Sequence, residues 1–149
     1  MARRIKIGDK TRVPAMKRRL RDMNGTRIKV GVLDDPELAV IAAANELGTN
    51  KAGAKRNVTI PERSFIRVTA DSKKEVAKAF ENASDVIDLE KPALKPLDVI
   101  GVQLAESVRE KIRSSIPPPN KPSTIAAKGS SRTLIDVGTL VGEIKHEVV

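Results

Sequence analysis

Residues 94–116, which read LKPLDVIGVQLAESVREKIRSSI, carry the clearest periodic pattern of the chain. Apolar residues recur there at spacings of three, four, four and four, which places them on one face of a helix: Leu97, Ile100, Leu104, Val108 and Ile112. Three consecutive prolines follow at 117–119 and end this helix, because proline lacks the backbone N–H that a helix interior needs. The stretch therefore predicts a long amphipathic helix.

Three further helices follow from similar patterns. Residues 36–47 follow an Asp cap, begin with a proline at the first helical position, and end just before a glycine. Residues 72–89 begin with a serine that has a glutamate three positions later, as in a capping box. Residues 11–23 carry apolar side chains at a 3–4–3 spacing, and we expect this stripe to pack on the domain: Val13, Met16, Leu20 and Met23.

Strands and loops complete the pattern. Alternating apolar residues predict strands at 26–33 and near the C-terminus, through Ile144, His146 and Val148. Residues 59–70 are predicted to be extended, whereas segments 49–58 and 117–133 have no periodicity and are predicted to be loops. The fold class is therefore α+β, with a short, mainly antiparallel sheet packed by helices and extended loops or arms.

Length and composition limit the classes of protein that the chain can be. Its 149 residues fit one domain spanning 1–149, and the absence of cysteine excludes disulfides, iron–sulfur clusters and cysteine-based zinc sites. The longest apolar run, Leu38 to Ala44, has seven residues, far fewer than the ~20 that span a bilayer. No apolar run follows the charged N-terminus, so we expect no secretory signal and assembly in a cytoplasm.

The positive charge is concentrated in the first fifth of the chain. The net charge is +9, and residues 1–31 hold 11 basic and 2 acidic side chains, so they account for all of it. Within the basic N-terminal segment 1–25, the cations that lie off the apolar stripe are predicted to contact an anionic partner: Lys17, Arg18, Arg19 and Arg21. The alternative is a solvated face that aids solubility. No aromatic side chain accompanies these cations, which argues against sequence-specific reading of bases.

Catalytic motifs are not recognisable in the sequence. His146 is the only histidine and has no partner motif for nucleophilic catalysis. The stretch Lys128-Gly129-Ser130-Ser131 lacks the order and spacing of a phosphate-binding loop. We therefore expect a protein that is not an enzyme and has no catalytic residues, metal site or cofactor.

Three segments, taken in order, resemble one known family. They read AAANELGT at 42–49, IPERSFIR at 60–67, and KGS at 128–130 continuing to LIDVGTL at 134–140. The chain resembles the neck and tail-completion proteins of long-tailed bacteriophages, often labelled virion morphogenesis or minor tail proteins, over residues 39–67 and 112–145. In that family an N-E-[FL]-G-T helix end precedes I-P-x-R-x-F-[LI]-R, and a K-G-S…L-[IV]-D-T-G-x-L segment lies near the C-terminus. Val137 stands where the family usually has threonine.

The resemblance implies an α+β subunit of the virion. Such a subunit assembles into a homo-oligomeric ring, commonly a hexamer, at the head–tail junction or the head-proximal end of the tail tube. Its partners are other neck, connector and tail-tube proteins, and DNA passing through the lumen is a further possible contact. The loops at 49–58 and 117–133 would order against neighbours.

The predicted interface residues come from the same segments. Arg63, Phe65 and Arg67 have the composition of an interface anchor, since phenylalanine and arginine are enriched there. The alternative is that Phe65 belongs to the core and the two arginines are solvated. The third segment adds Lys128, Gly129, Leu134, Asp136, Gly138 and Leu140.

Two functions are thus expected from the sequence. The first is a structural virion protein that completes the phage tail or neck and joins head to tail as a ring subunit. The second is a basic nucleic-acid-binding protein without sequence specificity, associated with DNA packaging.

Overall fold

The computed structural model describes residues 13–84, 95–134 and 138–149. Within these ranges the chain forms seven helices and four strands, in one small α+β domain. Their bounds are α1 Val13–Met23, β1 Ile28–Val32, α2 Pro36–Leu47, β2 Thr49–Ala52, β3 Val58–Ile60, α3 Ile66–Ala70, α4 Lys73–Ser84, α5 Lys95–Arg113, α6 Pro122–Lys128, α7 Thr139–Gly142 and β4 Ile144–Val148.

Helix α5 is the element around which the others pack, as its periodicity predicts. It contacts β1, β4, α3, α4 and α7. Toward its N-terminus, Ile100 packs with Ala79 and Ala83 of α4. Farther along, its apolar face enters the main core, whose buried members are Ala42, Phe65, Ala105, Val108, Ile112, Ile116, Leu140 and Ile144. Residues of α5 belong to both clusters, so this helix connects the smaller cluster with the main core.

The main sheet joins the two ends of the described chain. Strands β1 and β4 pair antiparallel, with Val30 opposite His146 and Ile28 opposite Val148. The pairing continues one residue farther, where Arg27 and Val149 exchange both backbone hydrogen bonds at 2.6 and 2.8 Å. The predicted strands at 26–33 and through Ile144, His146 and Val148 are therefore confirmed.

Two predicted loops contain regular structure. Segment 49–58 forms most of a β-hairpin, in which Thr49 of β2 pairs with Ile60 of β3 and a turn covers 53–56. The two strands are largely solvent-exposed, so they lack the alternation of apolar and polar residues from which a strand is predicted. Segment 117–133 contains α6, a helix too short at seven residues, with no buried side chain, to show a periodic stripe.

Other boundaries also differ from the prediction. Residues 59–70 are extended only to Ile60, and the last five form α3. The predicted helix over 72–89 is confirmed as α4 to Ser84, and its remainder lies outside the described residues. The predicted packing of the α1 stripe is wrong for two of its members, since Val13 is 48% exposed and Leu20 is 62% exposed. The side chain of Met16 lies outside the described residues.

Gly101 gives the closest contact between α5 and the sheet. A Cβ atom at this position would lie 2.4 Å from Cδ2 and 2.9 Å from Cγ of His146. The imidazole is itself fixed, because its Nε2 lies 2.8 Å from Oδ1 of Asp98 on the preceding turn of α5. Only glycine at 101 allows β4 to approach the helix at this distance.

We therefore expect Gly101→Ala to lower the free energy of unfolding by about 1–3 kcal/mol, the usual range for overpacking a filled site. Urea denaturation followed by circular dichroism measures this change. Gly142→Ala is the matched control, because a Cβ on this helical glycine has nothing within 4 Å and should be neutral or slightly stabilising. Equal stability of the Gly101→Ala variant and the wild type would contradict the packing described.

Candidate functional site

The carboxylate of Glu46 joins the first two motif segments. It lies near the C-terminus of α2 and accepts four hydrogen bonds from the segment that begins α3. The Ser64 hydroxyl donates to it at 2.6 Å, and the backbone N–H groups of Phe65, Ile66 and Arg67 donate at 2.7, 2.9 and 3.0 Å. The first backbone N–H groups of a helix have no partner within the helix. Helix α3 is therefore capped by a side chain from a distant part of the chain, whereas most helices are capped by the residue just before their first turn.

These hydrogen bonds shift the ionisation of Glu46. Burial alone would raise its pKa, but the bonds from Ser64 and from the N–H groups of Ile66, Arg67 and Phe65 outweigh burial and hold the pKa below its usual range. A carboxylate whose pKa is lower in the folded state stabilises the fold above its unfolded-state pKa. That stabilisation is lost as the pH falls through the folded-state value.

The backbones of the same two segments are in direct contact. The Arg63 N–H donates to the carbonyl of Asn45 at 2.7 Å. Gly48, which follows α2, has a φ of +69°, and a Cβ there would lie 2.8 Å from the backbone nitrogen of Glu62. Glycine is therefore required both for the backbone conformation and for the approach of the neighbouring segment. The stretches N-E-L-G and P-E-R-S-F of the first two motifs therefore pack directly against each other.

Arg63 and Asn120 extend this connection to the third segment. Arg63 donates from Nε to the carbonyl of Pro118 at 2.9 Å, and from Nη2 to the Pro119 carbonyl and the Asn120 side chain, each at 3.4 Å. Burial lowers the pKa of this guanidinium. Asn120 in turn donates to the carbonyl of Arg132 at 3.1 Å. We call the connected set Glu46, Ser64, Arg63 and Asn120 the motif network.

The network corrects part of the predicted interface. Phe65 is fully buried, Leu140 is 7% exposed, and both belong to the main core of this chain. Arg63 is also buried, at 7% exposed, and bonds within the chain. These three side chains are occupied by their own fold and cannot anchor a neighbouring subunit.

The remaining predicted interface residues have varied positions. Arg67 is exposed and pairs with Glu62, and Leu134 packs against the edge of the core. Lys128 donates to the Arg132 carbonyl at 2.9 Å, Gly129 ends α6 in a left-handed conformation, and Gly138 has a φ of +83° before α7. Asp136 lies outside the described residues.

Helix α2 presents a surface that the sequence reasoning missed. Its residues Val40, Ile41 and Leu47 are 70%, 54% and 64% exposed, whereas Ala42 is its buried residue. The Glu46 carboxylate lies on the side toward the protein and is partly buried, whereas the Asn45 side chain donates to the Ile41 carbonyl of the same helix at 2.9 Å. The signal was present in the sequence, since a helix that is apolar nearly all round is typical of one that is buried on more than one side.

The predicted anionic-partner contacts lie on α1. Lys17, Arg18 and Arg21 are exposed, and Arg19 is partly buried.

Among the described residues, no group of three or more histidine, aspartate or glutamate side chains is placed to hold a metal ion. His146 pairs with Asp98, as described above. Within the same described ranges, no helix has the length and apolar character needed to cross a bilayer.

Comparison with known proteins adds no relative. Searches against protein-family models, curated proteins and solved structures find no match to this chain.

We expect Glu46→Gln to destabilise the fold by about 1–3 kcal/mol at pH 7, because the neutral amide loses the charge-assisted bonds and turns N–H groups toward backbone donors. Urea denaturation measures the change. The control is Glu110→Gln, a neutralisation at an exposed position of α5, which should stay within about 0.5 kcal/mol of wild type. Equal effects of the two substitutions would contradict the capping role.

Proposed function

We propose that the protein is a structural subunit of the virion of a long-tailed bacteriophage, a neck or tail-completion protein. As a homo-oligomeric ring, commonly of six copies, it completes the tail or neck and joins it to the head. Its site in the virion is the head–tail junction or the head-proximal end of the tail, after assembly in the host cytoplasm.

The motif network is the observation that carries this proposal. Hydrogen bonds of Glu46 and Arg63 join the first two segments that resemble the phage family, and Asn120, which lies outside the quoted motifs, connects Arg63 to the Arg132 carbonyl between KGS and LIDVGTL. Residues that recur together in a family pattern and bond to one another in the fold support a shared architecture. Function beyond that architecture rests on the resemblance.

Two surfaces suit an assembling subunit. The outward side of α2 is apolar and exposed, which is typical of a face that another protein covers. Helix α6 contributes no buried residue, although its ends are held by Asn120 and the Lys128–Arg132 contact. Most side chains of the 117–133 segment are exposed, and we propose that this segment acts as an assembly arm or clamp.

A second candidate function is binding of nucleic acid without sequence specificity, associated with DNA packaging. The exposed cations Lys17, Arg18 and Arg21 on α1 favour it. Phosphate contacts of this kind need only positive charge and are weakened by salt. The two functions are compatible, since a neck ring surrounds the path of the DNA.

Disruption of the gene in its phage should yield filled heads and separate tails, and expression in trans should restore joined particles. Electron microscopy and plaque titre of the lysates measure this. Joined, infectious particles at normal titre without the protein would overturn the proposal. Empty heads, together with retardation of DNA by the purified protein, would instead favour the packaging function.

A further inference from the structure

Helix α2 is apolar on the side that faces solvent as well as on the side that faces the core. At 100° per residue, Val40 and Leu47 lie within 20° of each other on the helix, Ala43 lies on one side of them, and Ile41 lies on the other. These four side chains form a continuous apolar strip, which we call the α2 face, and all four are exposed. Glu37, one turn before Ile41, is the charged residue on this face.

The inward side of the same helix explains its orientation. Glu46 must point toward the protein to cap α3, and Asn45 offers its carbonyl to Arg63 from the same side. The helix therefore cannot rotate to bury the α2 face without breaking the motif network. A fixed apolar strip on a soluble subunit indicates a surface that is covered by a partner.

Helix α1 carries a second exposed apolar strip. Val13 and Leu20 are 48% and 62% exposed and lie 20° apart on the helix. Lys17 and Arg21 flank this strip on one side, one turn apart. We call Val13, Leu20, Lys17 and Arg21 the α1 face.

The two faces are complementary in charge and size. The α1 face carries Lys17 and Arg21, whereas the charged residue of the α2 face is the exposed Glu37. Asp34, which precedes α2, is exposed but pairs with Lys145 at 2.9 Å. Helices of 11 and 12 residues are about 16 and 18 Å long at 1.5 Å per residue. Apolar strips of matched length, with opposite charges beside them, favour helix-on-helix packing and determine which partner is chosen.

Within one chain the α1 face does not cover the α2 face, since Leu20 and Val40 are both exposed. Four residues, 24–27, separate α1 from β1. Asn24 and Thr26 donate to the last turn of α1, and Arg27 is held by both hydrogen bonds to Val149. The direction of α1 relative to the sheet is therefore fixed, and its exposed face is available to a different molecule.

We propose that the α1 face of one copy of this chain docks on the α2 face of a second copy. Because the two faces differ, the contact is heterologous, and a pair of copies retains one unused α1 face and one unused α2 face. Repetition of such a contact closes into a ring or extends as a filament. This inference deepens the proposed function, on which it rests for the expectation of a closed ring.

The test uses two variants of the full chain, Leu20→Glu and Val40→Glu. Each places a carboxylate in one exposed strip, and each should fold with unchanged circular dichroism and thermal stability. Alone, each variant should associate at least 10-fold more weakly than wild type in sedimentation experiments, a difference of about 1.4 kcal/mol. Mixed in equal amounts, they should form a species of two chains and nothing larger, because only one intact pair of faces remains.

Val102→Glu is the matched control, since Val102 is a 51%-exposed valine on α5 outside both faces. It should associate like wild type. Unchanged association of the Leu20→Glu or Val40→Glu variant, or a mixture that forms no two-chain species, would overturn the inference. A wild type that remains monomeric up to about millimolar concentration, the weak end of specific association, would overturn it as well. None of these outcomes affects the head–tail joining phenotype, so the inference and the proposed function fail independently.

Cross-linking gives a second measurement, which the absence of natural cysteine makes specific. A chain carrying both Leu20→Cys and Val40→Cys should form a ladder of disulfide-linked multimers on mild oxidation. A mixture of the two single-cysteine chains should give linked pairs that contain one of each. Linkage that occurs only between identical single-cysteine chains would contradict a head-to-tail contact.

Discussion

The carboxylate of Glu46 is the constraint on which much of this structure depends. It satisfies three backbone N–H groups and a hydroxyl at the start of α3, so it determines where that helix begins. The residue it caps first, Phe65, is directed into the main core beside α5. Arg63 lies two residues earlier and is thereby placed to hold the carbonyls of the proline-rich segment. One ionised side chain thus connects a helix end, a core aromatic and a distant loop.

The same constraint explains the unusual surface of the molecule. A helix that directs Ala42 into the core and Glu46 toward α3 leaves Val40 and Leu47 on its other side, in solvent. The stability gained from capping α3 therefore leaves an apolar strip in solvent. In a monomer this strip would favour non-specific association. In the proposed ring subunit the same strip would form a specific contact, so internal packing and assembly would depend on one helix orientation.

The sequence predicted those elements whose side chains face a buried surface on one side only. Helix α5 and strands β1 and β4 have such one-sided patterns, and the structure confirms them. The β2–β3 hairpin and α6 bury almost nothing, so their sequences carry no periodic signal. Helix α1 was predicted correctly, but the predicted packing of its apolar stripe on the domain was wrong for Val13 and Leu20, which are exposed.

The sequence also predicted only part of the site, because hydrogen bonds between distant segments leave no local pattern. The motif letters drew attention to Arg63, Phe65 and the KGS–LIDVGTL segment, but they indicated neither which residues bond to which nor that the bonds lie within one chain. Glu46 belongs to the first motif, but nothing local indicates its role, and Asn120 lies outside the quoted motifs. Their roles come from contacts that span 18 to 21 residues for Glu46, and 57 residues for the contact of Asn120 with Arg63. Only the folded arrangement of the segments reveals such pairings.

The ionisation of Glu46 tests the central claim most directly. Carbon-detected NMR of the side-chain carboxyl, followed while the pH is lowered in the folded protein, measures the pKa of this residue itself. The account predicts a value below the 4.5 of an ordinary glutamate, because the bonds from Ser64 and the α3 backbone favour the charged form. A value at or above 4.5 would show that burial outweighs those bonds, and it would contradict the role of Glu46 as the cap that organises the fold.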